Sequence, residues 1–201
     1  IMENVRKGKG LKPEMEAAMR ENGVPEWYIA SCRKIKYMFP KAHAAAYVLM
    51  AYRIAYFKVH YPAAFYATYF SVRASDLDLE VALKGKEAVK TKLAELEAKG
   101  NEATAKEKGM LTVLEVVLEM LQRGISFVPL DLNRSHSTRF LLTPAGLLPP
   151  FVSLPGLGQA AAENIVRARE ERPFSSQEDL RVRARLSRSI MAMLGQARCL
   201  D

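Results

Sequence analysis

The chain has 201 residues, of which 30 are Lys or Arg and 22 are Asp or Glu, so its formal net charge is +8. Hydrophobic residues make up 49% of it, which suits one large domain or two small ones and excludes general disorder. No run approaches the roughly 18 uncharged apolar residues of a membrane span, and the first residues lack a signal-peptide pattern. Two cysteines are too few for a disulfide framework, which favours a cytoplasmic location. The start at Ile1 suggests a piece of a longer polypeptide.

Four helices are predicted in the first part of the chain, and prolines mark most of their ends. Pro13 opens the first helix and Gly23 follows its end. Pro40 and Pro62 bound the clearest one, in which strong helix formers predominate. The predicted ranges are 13–20, 25–35, 41–60 and 63–72.

The charged residues in the middle of this helical half are all basic. Residues 27–75 contain no Asp or Glu, but they carry seven Lys and Arg residues interleaved with Tyr and Phe. This combination suits a polyanion whose bases need stacking surfaces, as in a nucleic acid. The alternative is a helical core whose few charges happen to be positive. Within this stretch we expect Trp27, Phe57, Tyr61 and Phe65 to belong to the core rather than to face a ligand.

The composition shifts to Ala, Glu and Lys after residue 75. We predict a solvated helix over 77–97 and a polar loop over 100–109. Apolar residues then recur at helical spacing over 111–121, with Gly124 as the C-terminal cap. Strands are expected over 125–132 and 139–143, before short helices begin near residue 154.

Two groups of residues raise the question of a metal site. Asp76 and Asp78 form an Asp-x-Asp pair, but they precede a helical pattern, where capping and the helix dipole explain acidic residues. His60 and His136 have no partner His or Cys at ligand spacing. The sequence therefore predicts no metal site in this chain.

The C-terminal segment carries a glycine-rich hairpin, Leu154-Pro155-Gly156-Leu157-Gly158, followed by Ala162 and Ile165. This pattern is similar to the helix-hairpin-helix signature of many DNA enzymes. The two glycines permit a tight turn that points backbone N–H groups at a phosphate oxygen without reading bases. The predicted DNA contacts are Gly156, Leu157, Gly158, Gln159, Ala160, Arg167 and Arg169.

Duplex binding by such a hairpin should be independent of base sequence and sensitive to salt. The alternative is a helical hairpin used only for docking protein domains. Residues 174–200 resemble the degenerate second hairpin that usually accompanies the first. Because its turn lacks glycines, we assign it to packing rather than to phosphate contact.

Residues 38–47 read Met-Phe-Pro-Lys-Ala-His-Ala-Ala-Ala-Tyr, and residues 56–62 read Tyr-Phe-Lys-Val-His-Tyr-Pro. These residues resemble the fingers region of the bacterial family C replicative DNA polymerases. Residues 5–11 and 24–28 favour the PolC type, while the resemblance is weak over 78–109. It implies DNA-templated DNA synthesis, with two Mg²⁺ ions held by palm aspartates upstream of the fingers. Those aspartates are not in this chain, so alone it is expected to be inactive.

The resemblance implies a mainly α-helical fold with three parts. These are a fingers domain over 1–124 with a variable charged segment at about 76–109, a small α+β connection over 125–153, and a tandem helix-hairpin-helix module over 154–201. The implied partners are primer–template DNA, the incoming deoxynucleoside triphosphate (dNTP), the rest of the polymerase chain, and the sliding clamp and other replisome proteins.

Seven residues are candidates for nucleotide binding: Arg6, Lys7, Lys9, Lys41, His43, Tyr47 and Arg53. Gly8 and Gly10 flank the third cation and let the backbone approach the triphosphate. Arg6, Lys7 and Lys9 would neutralise the charge that develops on its phosphates. Lys41 and His43 are expected to reach the same phosphates, and Tyr47 to stack on the nascent base pair. Arg53 would serve the template or the triphosphate. The alternatives are a merely solvated loop over 6–10 and a structural role for His43.

A rival hypothesis is a non-catalytic helix-hairpin-helix module of a repair or recombination protein. Its basic helical half would dock a protein partner. This hypothesis depends on the hairpin signature alone, which specifies no chemistry. It predicts no nucleotide binding by the first half of the chain, and that distinguishes it from the polymerase hypothesis.

Overall fold

The structure is a computed structural model that describes residues 1–200, and it confirms the predicted fold class. Helices make up 64% of the described residues, which also contain one small two-stranded sheet. Two compact units can be distinguished, residues 1–55 and residues 56–201. No helix among the described residues is long and apolar enough to cross a membrane.

The first unit is built around a small core of four buried residues. Its helices are α1 (Met2–Arg6), α2 (Pro13–Glu21), α3 (Glu26–Lys34) and the beginning of α4 (Lys41–His60). Pro13 occupies the first turn of α2, where its missing N–H has no intrahelical partner to lose. Val5, Met19, Ile29 and Cys32 are buried together and form the core of this unit. Helix α1 was not among the predicted helices.

Helix α4 has the predicted bounds, but it buries none of its residues. The prediction that Trp27, Phe57 and Tyr61 lie in the core is wrong, since they are 70%, 54% and 56% exposed. The prediction failed for α4 because apolar residues surround this helix on all sides. Such a helix is normally buried, and the sequence does not show which of its faces packs on the core. Phe65 does pack against the core, as predicted.

Four helices form the first part of the second unit: α5 (Pro62–Val72), α6 (Leu79–Leu83), α7 (Lys86–Ala98) and α8 (Ala105–Gln122). Their core includes Tyr66, Phe70 and Leu114, which are fully buried. The single helix predicted over 77–97 is wrong, because Gly85 adopts φ +91° and separates α6 from α7.

Capping side chains set the starts of two of these helices. The Asp78 carboxylate accepts a hydrogen bond from the N–H of Val81, which confirms its predicted capping role. Thr104 and Glu107 form a reciprocal capping box, so α8 begins at Ala105 and the predicted polar loop is shorter than expected. Gly124 follows the end of α8 with φ +78°, as predicted.

The sheet consists of β1 (Leu141–Thr143) and β2 (Gly146–Leu148), which pair antiparallel. The strand predicted over 125–132 is wrong. Only one bridge forms there, between Phe127 and Leu147. Pro129 explains the interruption, because it lacks the N–H that a ladder requires.

Three helices complete the chain: α9 (Gln159–Glu171), α10 (Gln177–Arg183) and α11 (Arg188–Gln196). Buried apolar residues from all three helices and both turns share one core. They include Leu157, Ile165, Leu180, Leu186 and Leu194. This core holds the two helical hairpins α9–α10 and α10–α11 together, and it orients the turn before α9 and the turn before α11.

Candidate nucleic-acid interface

The turn before α9 has the geometry predicted for a phosphate-binding hairpin. Gly156 adopts φ +87°, and a Cβ there would lie 3.2 Å from the sulfur of Met193. The positive φ favours glycine here, and any side chain would also require Met193 to shift slightly. Leu157 is 3% exposed, and its N–H donates to the carbonyl of Leu154 at 3.1 Å. Leu157 thus packs the hairpin, and its N–H is already used within the turn. The phosphate contacts assigned to the residues of this turn stay predictions.

Gly158 differs from Gly156 because the fold does not require it. It has φ −72° and ψ 161°, which any residue adopts, and an added Cβ would meet no atom within 4 Å. It is the N-cap of α9, and no side chain caps this helix end. The N–H groups of Gln159 and Ala160 in the first turn therefore have no intrahelical partner. The missing side chain leaves room for an external anion at these amides.

The turn before α11 repeats this backbone without glycines. Arg185 adopts φ +55° and corresponds in position to Gly156, and Leu186 is buried as Leu157 is. Ser187 is the extended N-cap of α11, in the place of Gly158. Arg185, Ser187 and the first helical residue of α11 are exposed.

Packing of this second turn is confirmed by buried Leu186, but its hairpin-like backbone and its exposed polar residues were not predicted. A signal was present in the sequence, because Leu157 and Ile165 have the same spacing as Leu186 and Leu194. All four of these leucine and isoleucine side chains are buried. The equal spacing of these buried residues predicts that both hairpins have the same backbone structure. The missing glycines of the second turn suggested instead that its backbone differs.

The two predicted arginine contacts of α9 have different environments. The Arg169 guanidinium donates to the carbonyls of Leu132 and Ser135, both at 2.9 Å, and burial lowers its pKa. These hydrogen bonds give Arg169 a structural role, and the DNA contact assigned to it stays a prediction. Arg167 is exposed, and it lies about 12 Å along the axis from Gln159. A phosphate bound at the helix N-terminus is out of its reach, so it would meet a different one.

In the first unit, the glycine-spaced cations lie against the segment that leads into α4. The N–H of Met38 donates to the carbonyl of Arg6 at 2.9 Å. Gly8 adopts φ +68°, and a Cβ there would overlap the carbonyl oxygen of Lys36. The backbone of residues 6–8 is thus held beside residues 36–38. The fold thus brings residues 6–8 beside the segment that precedes α4, the helix that carries the other predicted nucleotide contacts.

Two of these cations are paired with the same carboxylate. Arg6 donates from Nε and Nη2 to the two carboxylate oxygens of Glu3, each at 2.9 Å. The Nζ atom of Lys7 lies 2.9 Å from Glu3 Oε1. Hydrogen bonds from Arg6 and Lys7 lower the pKa of Glu3 to about 2. Lys9, the third cation, is exposed.

The start of α4 presents a row of aromatic rings. The ring of His43 lies 4.9 Å from that of Phe39 and 4.4 Å from that of Tyr47, measured between centroids. Lys41 and His43 are two residues apart, about 200° around the helix, so they leave opposite sides of it. Their predicted contact with the same phosphates is not supported by this geometry. Arg53 is exposed about 18 Å along the axis beyond Lys41.

The Mg²⁺ implied by the resemblance needs several oxygen ligands in one place. Between residues 1 and 200 no group of three or more His, Cys, Asp or Glu side chains is arranged to hold a metal ion. Asp76 pairs with Arg73 at 2.9 Å, and Asp78 caps α6. His136 accepts hydrogen bonds from the N–H groups of Thr138 and Arg139 through Nδ1. The described residues therefore do not fit a Mg²⁺ site.

Comparison with known proteins supports the helix-hairpin-helix signature and the resemblance to PolC-type polymerases. The family model of the helix-hairpin-helix motif matches residues 124–201. Over all 201 residues the chain is 59% identical to the DNA polymerase III PolC-type of Caldanaerobacter subterraneus and 57% identical to that of Bacillus subtilis. The corresponding protein of Clostridium perfringens is 52% identical. The chain spans 14% of the length of each of these relatives. The resemblance to the PolC type is thus confirmed along the whole chain.

Proposed function

We propose that this chain is the part of a PolC-type replicative DNA polymerase that holds the primer–template duplex by its backbone and positions the incoming dNTP. The observation that carries the proposal is the uncapped N-terminus of α9 behind Gly158. The missing side chain there meets no need of the fold, but it opens the helix N-terminus to an anion. Similarity to PolC-type polymerases supplies the context in which that anion is DNA.

Each hairpin would contact one stretch of phosphate backbone. At the first hairpin the contacts come from the amides of Gln159 and Ala160, with Gly156 shaping the turn. At the second they come from exposed Arg185 and from the polar first turn of α11. Because these groups meet phosphate and not base edges, the affinity should be independent of sequence. It should also fall steeply with salt, since each neutralised phosphate releases counterions.

The first unit would act on the dNTP. Arg6, Lys7 and Lys9 would meet the triphosphate. The packing of residues 6–8 on residues 36–38, just before α4, supports this proposal. Tyr47, stacked on His43, would offer an aromatic surface to the nascent base pair. The chemical step requires carboxylates and Mg²⁺ outside these residues, so we expect this chain to be inactive alone. On the basis of the same resemblance, we propose the sliding clamp and other replisome proteins as partners of the complete polymerase, and a cytoplasmic location.

The duplex proposal is tested in a full-length PolC-type polymerase that carries this segment. Asp is a slightly better N-cap than Gly, so Gly158→Asp should preserve α9 while its carboxylate repels phosphate. We expect duplex affinity, measured by fluorescence anisotropy at two salt concentrations, to fall about tenfold or more. Ala105→Asp adds the same charge to the first turn of α8 and should leave binding unchanged. Unchanged binding in Gly158→Asp would remove the hairpin from the interface.

The nucleotide proposal is tested separately in the same polymerase. The double substitution Arg6→Ala and Lys7→Ala should raise the KM for dNTP while the duplex Kd stays constant. Lys86→Ala with Lys90→Ala removes two exposed cations from α7 and serves as the control. The rival non-catalytic module predicts no change in nucleotide dependence for either pair. Identity across the first half of the chain, and not only across the hairpins, favours the polymerase.

A further inference from the structure

Glu3 occupies a particular position beside the predicted triphosphate ligands. It engages Arg6 through two parallel hydrogen bonds and Lys7 through a third contact. Its side chain is 58% exposed, and those of Arg6 and Lys7 are 38% and 47% exposed. The ion pairs are therefore open to solvent and to any dissolved anion.

We infer that Glu3 stands in for the triphosphate: it holds Arg6 and Lys7 in place while no nucleotide is bound, and it yields both cations to phosphate oxygens when the dNTP arrives. This inference rests on the proposed nucleotide role of these two cations. A guanidinium binds a carboxylate and a phosphate through the same two-pronged geometry, so one can replace the other without moving Arg6 far.

The backbone around these cations is already fixed. Arg6 bonds to Met38 through its carbonyl, and Gly8 packs on the carbonyl of Lys36. An exchange of anions would therefore need only side-chain rotation. Exposed ion pairs contribute little to stability, so the loss of the Glu3 contacts does not oppose the exchange strongly. A triphosphate carries several negative charges against the single charge of Glu3, which favours the nucleotide.

The alternative is a purely structural role, in which Glu3 stabilises α1 through ion pairs with the residues three and four positions later. Glu3→Gln separates the two possibilities, because glutamine keeps the size and helix propensity of glutamate but removes its charge. Glu80→Gln is the matched control. Glu80 is exposed, and its carboxylate lies 2.6 Å from the Nζ atom of Lys84, the residue that follows α6. Glu80→Gln therefore loses a similar ion pair elsewhere in the chain.

The experiment measures the dNTP Kd from single-turnover incorporation by the full-length polymerase, with the duplex Kd measured alongside. We expect Glu3→Gln to lower the dNTP Kd by about two- to fivefold, the range of a surface ion pair, and to leave the duplex Kd unchanged. Glu80→Gln should change neither. In the Arg6→Ala, Lys7→Ala background the effect of Glu3→Gln should disappear.

An unchanged dNTP Kd in Glu3→Gln would overturn the inference. A raised Kd would also overturn it, since Glu3 would then orient the cations in the bound state as well. If Arg6→Ala with Lys7→Ala raises the dNTP Kd while Glu3→Gln does not lower it, the nucleotide role stands and only the stand-in is wrong. If none of these substitutions changes the dNTP Kd, the nucleotide role itself is wrong.

Discussion

The Nζ atom of Lys58 lies 2.6 Å from Glu119 Oε2, and this ion pair joins the last turn of α4 to α8. The same ammonium group lies 5.4 Å from the centre of the Phe65 ring. Glu119 also accepts from Arg123 at 2.9 Å. Lys58 and Ala44 are the partly buried residues of α4, and its other residues are exposed. A polar contact therefore holds the end of a helix that buries no apolar side chain.

Replacing Lys58 should loosen this end of α4. In Lys58→Met the apolar stem is kept, but the ion pair and the cation–π contact are lost. We expect the free energy of unfolding to fall by about 0.5–1.5 kcal/mol, as measured by urea denaturation of the chain. Lys90→Met, which removes an exposed ion pair within α7, should have a smaller effect. Equal effects of the two substitutions would show that the Lys58 contact is not special.

The Glu119 carboxylate makes the same contact dependent on pH. Partial burial by itself raises the pKa of Glu119, but hydrogen bonds from Lys58 and Arg123 outweigh it and the pKa is lowered. A carboxyl with a lowered pKa stabilises the fold above its unfolded value near 4.5, and this stabilisation is lost as the pH falls through the folded value. Glu119→Gln should therefore unfold at a lower Tm than the natural chain at pH 7. The difference should shrink below about pH 4. A constant difference would contradict the assignment.

Local signals predicted much of the helical half, because proline and capping residues act within a few residues of themselves. The bounds of α4 between Pro40 and Pro62 are the clearest case. Burial is harder to predict from the sequence, because it depends on residues that are neighbours in space and not along the chain. The exposure of Phe57 and Trp27 does not follow from their apolar character. The pairing of Glu3 with Arg6 and Lys7 does have a signal in the sequence, because these residues lie three and four positions apart on one helix.

The second hairpin shows how a missing residue type misleads. Arg185 adopts a backbone conformation that favours glycine, so the turn exists without its sequence signature. Arg185→Gly should relieve this strain and stabilise the fold by about 0.5–1 kcal/mol. If the side chain contacts phosphate, the same substitution should weaken duplex binding by about two- to fivefold in the full-length polymerase.

Arg198 offers a matched control for this substitution. It follows α11 with φ +54°, so Arg198→Gly should relieve a similar strain and remove the same charge outside the hairpin turn. We expect Arg198→Gly to stabilise the fold and to leave duplex binding nearly unchanged. Equal losses of binding in both variants would indicate a general effect of charge, and the contact assigned to Arg185 would be wrong.

The two arginines of α9 should separate stability from binding. Arg169→Gln removes charged hydrogen bonds to two carbonyls and leaves these partly buried groups without their partner. We expect the free energy of unfolding to fall by about 2–3 kcal/mol, measured by urea denaturation. Arg167→Gln alters an exposed side chain and should change stability by less than about 0.5 kcal/mol. Duplex affinity in the full-length polymerase should fall about two- to fivefold in Arg167→Gln, with a salt dependence reduced by about one phosphate contact. The opposite result, with stability lost on replacing Arg167 and retained on replacing Arg169, would contradict the hydrogen bonds that tie α9 to residues 132–135.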